Sequence, residues 1–168
     1  MWKTLFNSLT STSSGHRPTR RRPPGSRLCL EQLEDRTVPS NFTAVTGGDL
    51  IADINAANQL GGSNTITLVT VPDSSFALYA VDNTTDGATG LPVIATNDNL
   101  TIIGNGNVIE RSTAAGIPAC RLLDVASGAA LTLENLTLQG GWAYGSGVSA
   151  SGGAIYSQGS LTLNGVTV

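Results

Sequence analysis

The sequence has few of the residues that carry most enzyme chemistry. Its 168 residues include one histidine, two cysteines and only 12% charged residues, whereas an average globular domain has about 25% charged residues. Zinc ligation needs several ligands close together, but the histidine is His16 and the cysteines, Cys29 and Cys120, stand far apart. Catalysis by a cysteine–histidine pair lacks candidates for the same reason. We therefore expect no metal and no cofactor.

Long apolar runs are also missing. No stretch approaches the roughly 18 consecutive apolar residues of a membrane-spanning helix, so we predict no transmembrane segment. An ordinary secretory signal needs an apolar stretch of roughly 7–15 residues. Polar residues such as Lys3, Asn7 and Ser8 interrupt the apolar ones at the N-terminus. A standard signal peptide is therefore not supported.

Charge is divided unevenly along the chain. Residues 1–36 carry a net charge of +4 and residues 37–168 a net charge of −7. A change of composition of this kind marks the boundary between a leader and a folded domain. We place that boundary between residues 1–40, predicted to be a disordered basic leader, and residues 41–168.

The basic residues of the leader leave nucleic-acid binding open as an alternative. Arg20, Arg21 and Arg22 form the densest basic run, and such runs attract phosphate groups. No aromatic residue accompanies the run, and the surrounding residues are mostly Ser, Thr and Pro, which cannot form a core. The prediction is a solvated leader without a nucleic-acid partner.

The last part of the leader, residues 27–40, has a pattern of its own. Its leucines suit one side of a short helix that ends before a proline. The segment also resembles the sorting segment found near the start of exported and surface proteins of planctomycete-type bacteria, a Leu-Glu-(Pro or Asp)-Arg pattern that closes in Pro-Ser. The matching positions are Leu33, Glu34, Asp35, Arg36, Pro39 and Ser40. The resemblance implies export machinery as a partner and a secreted or cell-surface location in a bacterium.

The folded domain is predicted to open with a helix and to continue as strands. Residues 49–60 place apolar residues on one helical face, with Asp49 at the N-cap or in the first turn and Gly61 as the stop. Beyond this point apolar residues and threonines alternate, which is typical of short strands.

The strands repeat at a nearly constant spacing. Leu131–Leu138 matches 161–168 at an offset of 30 residues, Leu100 precedes Leu131 by 31 residues, and Ile66 precedes Leu100 by a looser 34. Repeats of this length indicate stacked structural units. The pattern predicts parallel strands with Leu131 beside Leu161. It also predicts left-handed corners after each first strand, at pairs such as Asn164-Gly165.

These repeats resemble the right-handed parallel β-helix domains of bacterial surface proteins, which share the pectate-lyase-like fold, and the polymorphic outer-membrane protein repeat. The matching stretches are 90–94, 99–106, 122–128, 131–141, 152–156 and 159–163. The predicted fold class is all-β: a right-handed parallel β-helix solenoid with a short N-terminal capping α-helix and a disordered leader. Because Val168 stops within a predicted strand, we also expect the domain to be truncated at its C-terminus.

Few residues of the domain suggest chemistry. Asp124 and Glu134 are the only weak candidates for catalytic carboxylates, and each is more simply interpreted as part of a solvated face. Trp142 and Tyr144 lie in a glycine- and serine-rich insertion, where exposed aromatic rings are suited to contact a glycan. No catalytic residue is predicted beyond the two weak candidates.

The sequence leaves two functions open. The leading hypothesis is a non-catalytic secreted or cell-surface module with a structural or binding role, adhesin-like or polysaccharide-binding, whose partners are envelope polysaccharide or other surface proteins. The alternative is the N-terminal part of a carbohydrate-active lyase or glycoside hydrolase whose catalytic coils lie beyond this chain. An Asp/Arg cluster on adjacent coils would favour the enzyme.

Overall fold

The computed structural model describes residues 38–70 and 76–168. The predicted disorder of the leader and four of the sorting positions, Leu33 to Arg36, lie outside the described residues. Pro39 is exposed, and the first strand begins at Ser40, the last residue assigned to the leader. The remaining two sorting positions therefore lie at the start of the folded part.

The predicted helix is confirmed and begins two residues earlier than expected. Helix α1 spans Gly47–Leu60. Thr46 is the N-cap: its hydroxyl accepts a hydrogen bond from the Asp49 amide at 3.1 Å, and the Asp49 carboxylate accepts one from the Thr46 amide at 3.0 Å. This reciprocal pair satisfies two amides that the first turn leaves free. Gly61 ends the helix with φ 61°, a conformation that favours glycine.

Within the described residues, ten strands form three parallel sheets. The five-stranded sheet has the order β1-β2-β4-β7-β10, the three-stranded sheet β3-β5-β8, and the two-stranded sheet β6-β9. Their bounds are β1 Ser40–Ala44, β2 Gly62–Leu68, β3 Phe76–Leu78, β4 Asp98–Ile103, β5 Val108–Arg111, β6 Leu123–Val125, β7 Ala130–Glu134, β8 Thr137–Gln139, β9 Ile155–Ser157 and β10 Ser160–Asn164.

The register of the five-stranded sheet follows the sequence repeat. Leu131 pairs with Leu161 on one side and with Leu100 on the other, as predicted. The offset of 34 residues predicted between β2 and β4 is wrong by two residues, because Leu100 pairs with Asn64 and not with Ile66. A shift of two keeps every side chain on its predicted face, so the apolar positions remain inside. Those positions form one buried core with residues of the other sheets and the helix.

The corners between strands adopt the left-handed backbone that was predicted. Asn135 has φ 49° and Gly165 has φ 63°. The turn at Gly104 packs tightly against the corner at Asn135, since a Cβ placed on Gly104 would come within 2.5 Å of the Asn135 carbonyl oxygen. Neighbouring corners therefore bond to each other as the strands do, with the Gly104 amide donating to the Glu134 carbonyl oxygen at 2.7 Å.

The predicted fold class is wrong. The protein is not an all-β solenoid but has an α/β-like arrangement: a five-stranded parallel sheet carrying a helix, with two smaller parallel sheets. Helix α1 buries Leu50, Ile54 and Ala57 completely in the same core as the strands, so it is a packing layer and not a terminal cap. The repeat determines which strands pair, and parallel pairing in register occurs equally in an α/β sheet.

Candidate functional site

An exposed aromatic pair stands at the start of the segment 142–151. Trp142 and Tyr144 are 56% and 76% exposed, and their ring centroids lie 6.3 Å apart with the planes at 74°. The guanidinium carbon of Arg111 lies 6.0 Å from the centre of the Trp142 ring, at the outer limit of a cation–π contact. We call Arg111, Trp142 and Tyr144 the aromatic surface.

Backbone contacts fix the arginine and the tryptophan of this surface. Arg111 Nε donates to the Gly140 carbonyl oxygen at 2.8 Å, and Nη1 donates to the Ser112 carbonyl oxygen at 3.2 Å. The Trp142 amide donates to the Cys120 carbonyl oxygen at 2.9 Å. The arginine side chain and the backbone of Trp142 are therefore held in place before any ligand arrives, which lowers the entropic cost of binding.

A shallow groove of about 430 Å³ runs over the three-stranded sheet. Its polar residues are Thr70, Asn107, Glu110 and Gln139, and we call it the polar groove. Glu110 and Gln139 pair in register on β5 and β8. Arg111 directly follows Glu110, and Gln139 directly precedes the glycine whose carbonyl holds Arg111. The polar groove and the aromatic surface are therefore built in part from consecutive residues, Glu110 and Arg111, although consecutive side chains of a strand turn to opposite faces of the sheet.

Asp124 is fully buried on β6, which corrects the prediction of a solvated carboxylate. Asp124 lies between the core residues Leu123 and Val125 and points away from the core as expected. The loop that contains Asp86 covers this outward side of the strand. Burial is the main cause that raises the pKa of Asp124 above its ordinary value. The charge of Asp86 raises it further, whereas the Arg121 guanidinium and the nearby Asp86 backbone amide lower it. Neither carboxylate oxygen has a hydrogen-bond partner among the described residues.

Glu134, the second weak candidate, has different surroundings. It ends β7 in the five-stranded sheet, is partly exposed, and accepts a hydrogen bond from Asn164 Nδ2 at 3.4 Å. Glycoside hydrolysis needs two carboxylates on either side of the scissile bond. Asp124 is inaccessible and lies in another sheet, so these two residues do not form such a pair. Within residues 38–70 and 76–168, no group of three or more potential ligands is placed to hold a metal.

Three residues of the site region were not among the site residues predicted from the sequence. Arg111 belongs to the aromatic surface, and Arg121 and Tyr156 surround Asp124. The sequence repeat could have identified these contacts. Trp142 follows Arg111 by about one repeat length, and Tyr156 follows Asp124 by about the same length. Residues one repeat apart lie side by side in parallel strands, as Asp124 and Tyr156 do.

Comparison with protein families, curated proteins and solved structures finds no match for this chain. In the part of the chain that the structure describes, no helix has the length and apolar character needed to cross a bilayer.

Proposed function

We propose that this protein is an exported, non-catalytic binding protein of the bacterial cell surface that holds a polysaccharide of the cell envelope. The observation that carries the proposal is the exposed pair Trp142 and Tyr144 with the Arg111 guanidinium beside it. Large aromatic side chains are normally buried, and exposed ones that are held in place mark recognition sites. The C–H face of a sugar ring packs on an aromatic ring, while its hydroxyl groups bond to neighbouring polar groups.

The polar groove supports a ligand longer than one sugar. Its volume of about 430 Å³ falls within the roughly 300–1,000 Å³ typical of ligand sites. Its carboxylate and amide groups, from Glu110 and Gln139, can accept from and donate to sugar hydroxyls. Because Glu110 of the groove and Arg111 of the aromatic surface are consecutive, a ligand that contacts both has to be a chain of several sugars. A linear polysaccharide fits this arrangement better than a compact small molecule.

The surroundings of the two candidate carboxylates, Asp124 and Glu134, favour a binding role over catalysis. Asp124 is fully buried, and Glu134 is already bonded to Asn164. The groups that face solvent at the aromatic surface are two rings and a guanidinium, which bind and orient a ligand. The proposal is therefore a binding module rather than part of a lyase or hydrolase.

Removing the tryptophan ring is expected to weaken polysaccharide binding. Trp142→Ala should raise the dissociation constant at least about tenfold, because aromatic anchors of a binding site contribute about 2 kcal/mol or more. Binding is measured by retardation in native gels containing hydroxyethylcellulose, xylan or a purified envelope polysaccharide of the host. Tyr144→Ala should act in the same direction with a smaller effect, because the tyrosine ring is smaller.

Leu60→Ala is the control for these variants. Leu60 is 52% exposed and is the last residue of helix α1, outside the segment 142–151 and outside β5, which carries Arg111. Its replacement should leave the retardation unchanged. If a polysaccharide gel slows the wild type and Trp142→Ala equally, the aromatic surface is not the binding site. Absence of retardation in all three polysaccharides would contradict the proposed function.

The proposal of export is tested through the leader. Deleting residues 28–39 leaves β1 intact and removes most of the sorting-like segment. We expect the truncated protein to stay inside the native host, as measured by immunoblotting of cell and medium or envelope fractions. Replacing Arg20, Arg21 and Arg22 by alanine is the control and should leave export unchanged. Normal export of the deletion variant would exclude the sorting role.

A further inference from the structure

Arg121 is a cation placed entirely inside the protein. Its exposed fraction is 0%, and an arginine keeps its charge at any ordinary pH. A buried charge is tolerated only when surrounding groups replace the lost water. Two of its nitrogens, Nε and Nη1, have no hydrogen-bond partner among the described residues. The buried carboxyl group of Asp124 compensates part of its charge, since the Arg121 guanidinium lowers the pKa of that group, and the direct contacts of the arginine side chain determine its position.

Those contacts join two loops and a strand. Arg121 Nη2 donates to the backbone carbonyl oxygen of Asp86, in the loop 82–89, and to that of Val148 at 3.4 Å. Val148 belongs to a short 3-10 helix, Gly147–Ala150. The guanidinium carbon lies 4.8 Å from the centre of the Tyr156 ring on β9, a distance suited to a cation–π interaction.

The loop 82–89 and the segment 142–151 meet closely at this arginine. A Cβ placed on Gly87 would lie 2.5 Å from Arg121 Nη2 and 2.9 Å from the Ser149 Cα. Only a glycine leaves room for both neighbours at this position, and its φ of 120° also favours glycine. Asp86 contributes a further link, because its carboxylate accepts a hydrogen bond from Gln158 Nε2 at 3.0 Å.

Arg121 directly follows Cys120, the residue that binds the other end of the segment 142–151. The Trp142 amide donates to the carbonyl oxygen of Cys120, and the Val148 carbonyl accepts from Arg121. Two consecutive residues, Cys120 and Arg121, therefore hold both ends of the stretch that carries Trp142 and Tyr144. Loosening either end changes how the two rings are presented.

We propose that Arg121 is a positioning residue that clamps the segment 142–151 onto the loop 82–89 and so fixes the arrangement of Trp142 and Tyr144. Its role in binding rests on the proposed function, whereas its effect on the segment does not depend on any ligand. The clamp places no group on the sugar itself. It acts by keeping the rings in one arrangement before binding, which avoids the cost of ordering them afterwards.

Hydrogen exchange followed by mass spectrometry tests the clamp without a ligand. Arg121→Met keeps an unbranched apolar stem and removes the guanidinium group with its donors and charge. We expect the hydrogen-bonded amides of the segment, such as those of Trp142 and Ser151, to exchange at least about tenfold faster in this variant, while β4 and β7 keep their protection. Arg121→Lys keeps the charge and one donor group and should restore part of the protection.

A second measurement reports on the tryptophan directly. Trp2→Phe leaves Trp142 as the only tryptophan, since the sequence has two. In this background the fluorescence anisotropy decay of Trp142 should gain a fast component when Arg121 is replaced by methionine. A residue that merely filled space would not change this signal or be rescued by lysine.

Gly87→Ala keeps the test decisive if Arg121→Met fails to fold. The added methyl group separates Nη2 from Ser149 in a surface loop, and it should speed exchange in residues 142–151 with the sheet intact. If Arg121→Met folds and the exchange of residues 142–151 is unchanged, the clamp is contradicted. If Arg121→Met does not fold, unchanged exchange of these residues in Gly87→Ala contradicts it.

Polysaccharide retardation separates the two proposals. If the wild type binds, Arg121→Met should weaken binding about threefold to tenfold, less than Trp142→Ala, because the rings remain but lose their fixed arrangement. If the wild type binds none of the polysaccharides, the proposed function fails, and faster exchange in the variant still supports the clamp.

Discussion

Replacing Leu133 by alanine is expected to lower the free energy of unfolding by about 2–5 kcal/mol. Leu133 is fully buried on β7, the strand that lies between β4 and β10 in the five-stranded sheet. Its removal leaves a cavity that the paired strands on either side cannot fill without losing their register. Urea unfolding followed by far-UV circular dichroism measures the change.

Leu163→Ala is a closely matched control. Leu163 pairs with Leu133 in register and has the same local sequence, Leu-Thr-Leu, but it lies on the edge strand β10 and is 43% exposed. Its truncation should cost less than about 1 kcal/mol, because much of the side chain already contacts water. Equal losses for the two variants would show that the five-stranded sheet does not bury β7 as described.

Local structure was largely predictable from the sequence because local signals determined it. Asp49 and Gly61 marked the two ends of helix α1, and the structure confirms a helix between Gly47 and Leu60. The strict repeat around Leu131 predicted its partners on both sides. Asn135 adopts the left-handed corner that short polar residues tolerate. Each of these features depends on residues close in sequence or on one constant spacing.

The register of β2 and the fold class were not predictable in the same way. Pairing Leu100 with Asn64 or with Ile66 puts the same faces inside, so hydrophobic alternation cannot choose between them. Buried polar contacts favour the observed register, because Asn64 Nδ2 donates to Asp98 Oδ1 at 3.1 Å and to the Gly61 carbonyl oxygen at 3.0 Å. The repeats likewise predicted parallel pairing but carried no information on helix α1 as a packing layer.

For the candidate site, the sequence identified the rings but not what holds them. Trp142 and Tyr144 are exposed, which fits the setting assumed for a glycan contact, and the contact itself stays a prediction. Asp124 was expected in solvent because alternation along β6 turns it away from the core. Covering loops decide its burial, and their position depends on Arg121, which joins residues distant in sequence. Contacts of this kind leave no periodic pattern in a single sequence.

Buried carboxyl groups are expected to make the protein more stable in mild acid than at neutral pH. Asp98 is 2% exposed, and burial is the main cause that raises its pKa above the ordinary 3.8, although hydrogen bonds from Asn64 and from the Asn99 backbone lower it. The pKa of Asp124 is raised as well, chiefly by burial. The folded state therefore holds these protons more tightly than the unfolded chain. The resulting stabilisation is complete below about pH 4 and is lost as the pH rises through the raised pKa values.

Asp98→Asn should remove part of this pH dependence and raise the free energy of unfolding at pH 7. Asp98 Oδ2 and Asn64 Oδ1 are both buried without a hydrogen-bond partner among the described residues. An amide at position 98 keeps the acceptor that Asn64 uses and replaces the charged oxygen by a neutral donor that can serve Asn64 Oδ1. Urea unfolding between pH 4.5 and 8, in steps of about half a unit, measures the slope, since one unit of pKa difference corresponds to about 1.36 kcal/mol. Glu134→Gln, the same exchange at a partly exposed carboxylate outside the Asn64–Asp98 contact, is the matched control. An unaltered slope in Asp98→Asn would contradict a raised pKa of Asp98, and a slope of the opposite sign in the wild type would contradict the stabilisation by buried carboxyl groups.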